Sequence, residues 1–201
     1  MREWNAISSF AHNLGVKKEI IEKTEQAFNE FLKRYYKTRE FVWENHKSKW
    51  NESLSIQNFH FWDVNFYCFF LLILSGYRHV ALGELRFYLE AGARSYYIDS
   101  NHQEMSYNRK VLILKEVRWN KYKELIKSVK EKRKELEKFY DKLCTYVHLS
   151  EEALIDATRD ADFNRALGLP FYEEDIKMLK KTFKYSRCLL LQSLEKPPSA
   201  F

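Results

Sequence analysis

Apolar residues recur at helical spacing along most of the chain, and the breaks in that spacing mark the predicted elements. Trp4, Ile7, Phe10 and Leu14 share one side of a short helix over Arg2–Asn13, which Gly15 ends. From Val16 to about Lys49 a long amphipathic pattern follows. Its apolar face holds Ile20, Ile21, Thr24, Phe28, Phe31, Leu32, Tyr35 and Tyr36, with Lys and Glu opposite. Asn51–Asn58 loses the pattern and reads as a connection. Val64–Asp99 then predicts one long buried helix with a joint near Ser75-Gly76, opening on the unbroken apolar run Phe66–Leu74. Beyond the joint, Leu82, Leu85, Leu89, Ala93 and Tyr96 form one stripe, and Val80, Phe87, Ala91 and Ile98 a second nearly opposite. A helix with two apolar faces must be covered on both, so it belongs at the centre of a bundle.

The third long helix runs from about Tyr107 to Val147. Tyr122, Val129, Leu136 and Leu143 recur every seven residues, accompanied by Leu125, Ile126, Phe139, Tyr140 and Val147, a bundle-type seam interrupted only at Lys132 and Arg133. Ser150 before Glu151 and Glu152 has the form of an N-cap on a short helix. Arg159–Leu169 reads as a polar linker, and Pro170 opens a last helix from Tyr172 to about Leu194, with Ile176, Leu179, Phe183 and Leu190 inward. No segment predicts a strand. The expectation is an all-α up-and-down helical bundle of four long helices plus one or two short ones. It forms a single domain over residues 1–201, with a short N-terminal helix in 1–14 and a tail at 195–201.

Composition supports that pattern. Aromatics are 16% of the 201 residues, and 5 Gly with 3 Pro leave little material for turns between strands. Phe66–Leu74 is far shorter than the ~20 apolar residues that span a bilayer, and the first residues lack a signal peptide's apolar region, so a cytoplasmic protein with no membrane partner is expected. Cys68, Cys144 and Cys188 are odd in number and far apart, which reads as core packing in a reducing compartment. A core this aromatic exceeds what one bundle hides, and a homodimer is expected.

Between the two apolar stripes runs a polar seam of His79, Arg86, Glu90, Arg94 and Tyr97, in which Arg86–Glu90 and Glu90–Arg94 are i,i+4 pairs. So placed, the seam is either an ion-pair device that docks neighbouring helices or the wall of a functional cleft. Metal-ligand pairs, phosphate-binding glycine loops, dinucleotide fingerprints and nucleophile elbows are absent from the sequence, so no metal and no cofactor are expected.

The Arg86/Glu90 pattern, followed by a long helix ending in Tyr146-Val-His148-Leu-Ser150, resembles the HEPN-like helical domains over about residues 65–194. Many of that superfamily are dimeric, metal-independent ribonucleases of toxin or abortive-infection systems, and others are non-catalytic modules that bind nucleotides or RNA. The resemblance aligns His148 with the family's catalytic histidine and Glu90 with its supporting acid. Lys142 stands where the family has arginine, and lysine lacks arginine's two-pronged fit to phosphate. In such a site His148 would serve as general acid or base, with Lys142 or Arg86 holding the scissile phosphate. On an ideal helix Lys142 and His148 stand about 120° apart, so they converge only if the helix end unwinds or a second subunit contributes.

Charge adds one more feature. The chain carries a net +6, and Lys115–Lys138 contains ten basic residues against five acidic ones. Lys123, Lys127, Lys130, Lys134 and Lys138 fall on one stripe away from the apolar seam, either a solvated face or a surface for phosphates. Three functions fit: a non-catalytic HEPN-like module associated with RNA or with regulation, a metal-independent endoribonuclease using His148, and a structural or protein-binding bundle.

Overall fold

The computed structural model describes residues 2–117, 122–129, 132–147 and 173–195. Among them the chain is an all-α helical bundle with no strand. No described helix is long and apolar enough to cross a membrane. The elements are α1 (Arg2–Asn13), α2 (Lys18–His46, followed by a 3-10 turn at Lys47–Lys49), α3 (Leu54–His60), α4 (Trp62–Leu74) and α5 (Arg78–Asn101). They continue with α6 (Tyr107–Glu116), α7 (Tyr122–Leu125), α8 (Arg133–Val147) and α9 (Glu173–Glu195).

The expected long helix over Val64–Asp99 is two helices folded back on each other. Gly76 takes φ +79, in the left-handed region open to glycine. The Tyr77 and Gly76 amides bond back to the Leu72 and Ile73 carbonyls at 2.9 and 3.1 Å, a Schellman stop that satisfies the freed carbonyls of α4. As one continuous helix, Trp62 and Tyr88 would stand about 39 Å apart along the axis; their rings lie 5.2 Å apart. Gly15, at φ +79, ends α1 by the same bonds from Val16 and Gly15 to Ala11 and His12. Trp4 then rests on Phe28 and Phe70, pinning α1 to α2 and α4.

Helix α5 is central, touching α3, α4, α6, α7, α8 and α9. Its stripe of Leu82, Leu85, Leu89, Ala93 and Tyr96 is fully buried. The second stripe is not: Ile98 is buried, but Val80 and Phe87 are each 50% exposed. A cluster of Phe31, Phe59, Trp62, Phe66 and Phe183 joins α2, α3, α4 and α9, with edge-on and tilted ring contacts that add to the area they bury.

The expected helix from Tyr107 to Val147 is also divided. Val117 is extended after α6, and Lys132 adopts φ 58 before α8, so the chain turns twice. Tyr122, Val129, Leu136 and Leu143 are nonetheless all buried. Their spacing records shared burial by two helices and a turn, not one straight seam. Asn51–Asn58, expected as a connection, includes the start of α3. Ser53 caps it by accepting from the Ile56 amide at 3.2 Å, and Asp99 of α5 accepts from Ser53 Oγ and the Leu54 and Ser55 amides. Lys110 of α6, buried, donates to Asp99 at 3.1 Å and to the Glu52 carbonyl at 2.9 Å. A second buried pair closes the other end of α5: Arg78 donates twice to Asp175 of α9, at 2.8 and 2.9 Å. Cys68 is exposed, while Cys144 and Cys188 are half-buried and all three are free. The short helix at Ser150 and the linker Arg159–Leu169 lie outside the described residues.

Candidate functional site

Arg86 and Glu90, one turn apart on α5, are brought together as the i,i+4 spacing predicts. Arg86 Nε donates to Glu90 Oε1 at 2.8 Å, and the Tyr140 hydroxyl of α8 donates to the same oxygen at 2.6 Å. The Arg86 guanidinium lies over the Tyr140 ring at 5.7 Å, and Tyr140 stacks on Tyr122 with centroids 3.9 Å apart. Burial opposes the Arg86 charge, but the hydrogen bond and charge of Glu90 outweigh it and hold its pKa above the ordinary value. Burial, reinforced by the Glu90 bond, pushes the Tyr140 phenol up; burial also raises Tyr122 and the Cys144 thiol. Burial depresses Arg94, partly offset by Glu90, and its Nη2 donates to the Leu114 carbonyl. The phenols and the thiol therefore stay neutral near pH 7. This is the chemistry of an ion pair and a hydrogen bond that dock α5 against α8.

Lys142 faces elsewhere. It stands two residues from Tyr140, about 200° around α8, and its ammonium meets Glu174 of α9 at 2.7 Å. That bond and charge hold the exposed Glu174 below the usual carboxylate range. His148 lies outside the described residues. Among the described residues no group of three His, Cys, Asp or Glu could hold a metal ion.

The lysine stripe is broken by the turn before α8. Lys123 on α7 is exposed and pairs with Asp141 at 3.0 Å. Lys134 and Lys138 are exposed on α8, Lys127 is exposed between the two helices, and Lys130 is outside the described residues. Lys127, Lys132, Arg133 and Lys134 border a shallow cavity of about 640 Å3 at that turn. Arg133 is occupied there by Glu137 at 3.1 Å and by the Lys127 carbonyl at 3.3 Å.

A more concentrated basic site was not legible in the sequence. Helices α2 and α9 run parallel: Lys180 meets Glu30 at 2.9 Å near one end, and Lys49 donates to the Leu194 carbonyl at 2.9 Å near the other. Between them lies a groove of about 640 Å3, lined by Arg34, Lys37, Thr38, Glu40, Phe41 and Glu44 of α2 and by Lys180, Lys181, Phe183, Lys184 and Arg187 of α9. Six of those side chains are basic and two acidic. Lys180 is tied to Glu30. Arg34, Lys37, Lys181, Lys184 and Arg187 are exposed and make no side-chain hydrogen bond or ion pair among the described residues. Each helix shows its basic positions at helical spacing, but the pairing of two stripes some 145 residues apart is a property of the fold. No family model, no curated protein and no solved structure matches the chain.

Proposed function

We propose that this bundle is a non-catalytic, nucleic-acid-associated module of HEPN-like type that holds a phosphodiester backbone in the groove between α2 and α9. The observation that carries the reading is the set of five exposed cations lining that groove, none of them tied up in a side-chain hydrogen bond or ion pair among the described residues, against two carboxylates, Glu40 and Glu44. Clustered cations raise the local potential, and neutralising phosphates there releases condensed counterions, which drives binding without sequence readout. Lys134 and Lys138, on the exposed side of α8, add a secondary basic surface. The neutral phenols and closed ion pair around Glu90 favour binding over cleavage. The protein should retain generic RNA at low ionic strength, and Lys181→Gln, Lys184→Gln and Arg187→Gln together should weaken retention while keeping the melting temperature. Failure of the folded wild-type protein to retain RNA at low salt overturns the reading.

A homodimer is the second part of the proposal. Val80 and Phe87 stand seven residues apart on one face of α5, each half exposed, with Tyr77 beside them 62% exposed. Such a face favours association. Sedimentation at micromolar concentration should show a dimer that Val80→Lys and Phe87→Lys dissociate; a wild-type monomer contradicts it.

A further inference from the structure

We infer that the α2–α9 groove accepts a single strand in preference to a duplex, with the strand's phosphates on the α9 wall and a base stacked on Phe41 of the α2 wall. This rests on the phosphate-binding reading above and adds the form of the ligand and its orientation. The two walls differ in chemistry. The α9 wall is basic throughout its exposed length, with Lys180, Lys181, Lys184 and Arg187 over two turns. The α2 wall begins with Arg34 and Lys37 but then presents Glu40, Phe41 and Glu44. A phosphate chain on α9 meets Lys181, Lys184 and Arg187, with Lys180 held by Glu30 at 2.9 Å at the edge, whereas one laid along the far half of α2 meets two carboxylates.

A duplex carries phosphates along both edges and would press one of those edges against Glu40 and Glu44. Its base faces are also closed within the stack. A single strand has one phosphate edge and open base faces, which matches one basic wall and one mixed wall. Phe41 is 44% exposed, with its ring edge-on to His46 at 6.2 Å, and lies about 6 Å along the helix from Lys37, so it borders the groove with a face open to solvent. Exposed aromatic rings beside a basic track are how proteins hold single strands of any sequence, because every base offers a π-face. The groove floor is closed by buried Thr38 and Phe183, with Phe183 packed on Phe31 at 4.8 Å, so the wall residues have a fixed base to work from. Nothing in stacking or phosphate contact reads the 2′-hydroxyl, and single-stranded RNA and DNA should both bind.

Fluorescence anisotropy with a labelled 12-mer RNA strand, the same DNA strand and the blunt RNA duplex tests the inference on the full chain. Both strands should bind more tightly than the duplex. Phe41→Ala should weaken strand binding by about 5- to 150-fold, the range for loss of one stacked base, and leave the salt dependence unchanged. Phe41→Trp should restore it. Duplex binding equal to or tighter than strand binding, or a Phe41→Ala protein that binds the strand normally, overturns the inference. If the Lys181/Lys184/Arg187 triple Gln variant still lowers salt dependence in that case, phosphate binding itself stands. Competition of the strand by poly-glutamate at equal charge concentration, with no effect of Phe41→Ala, would mark the groove as a site for an acidic protein segment and also overturn it. Absence of binding to every polyanion would remove both readings.

Discussion

Glu90 is the residue on which the helix docking turns. It is 5% exposed and its Oε1 receives both Arg86 and Tyr140. The pair with Arg86 was legible from the four-residue spacing, because a helix fixes that neighbour. Tyr140 was not, since nothing local says which residue 50 positions away faces Glu90. Glu90→Ala leaves a partly buried guanidinium and a phenol without their acceptor and should cost about 3 kcal/mol in urea unfolding. Glu22→Ala removes only an exposed pair with Lys18 and should change stability by less than about 0.5 kcal/mol. Equal losses for the two would contradict a buried seam. The neighbouring phenols give a pH signature. Tyr122 and Tyr140 ionise near pH 10 when unfolded but are raised by burial when folded. Their contribution to stability is complete below about pH 10 and is lost as pH rises through the raised folded values. The melting temperature should fall above pH 10, and less steeply in Tyr140→Phe; a flat profile up to pH 11.5 counts against neutral buried phenols.

At the scale of elements, the sequence marked where helices are but not how the chain turns between them. The joint at Ser75-Gly76 was visible as punctuation. That it is a full reversal was not, because apolar spacing continues unchanged through α4 and α5. The seven-residue spacing of Tyr122, Val129, Leu136 and Leu143 marks core positions but not helix continuity, because only the backbone at Val117 and Lys132 shows the breaks. The pair least legible in the sequence is Arg78 with Asp175. An acid in the first turn of α9 is already accounted for by the helix dipole, so nothing local called for a partner. Both side chains are more than nine-tenths buried and doubly hydrogen-bonded, and they clamp the start of α5 to the start of α9. Asp175→Asn keeps the shape and removes the charge facing a buried guanidinium, which should cost about 3–5 kcal/mol by chemical denaturation. A loss below about 1 kcal/mol would mean that the clamp is dispensable.

For the whole molecule, the bundle architecture was legible and the candidate site was only half so. Surplus positive charge pointed to phosphates, and the stripe Lys123–Lys138 was its visible expression. Folding splits that stripe at Lys132 and assembles the denser site from Arg34 and Lys37 at one end of the chain and Lys181, Lys184 and Arg187 at the other. Phe31 of α2 packs on Phe183 of α9 beneath the groove, so core contacts underlie the surface charge. The claim that this groove holds a phosphate backbone is tested most directly by the slope of log affinity against log salt for a single-stranded RNA. Wild-type protein should show a steep negative slope, and the Lys181/Lys184/Arg187 triple Gln variant a slope shallower by about 2, from about 0.7 per lost contact. Identical slopes for two equally stable proteins, or affinity independent of salt, would contradict it.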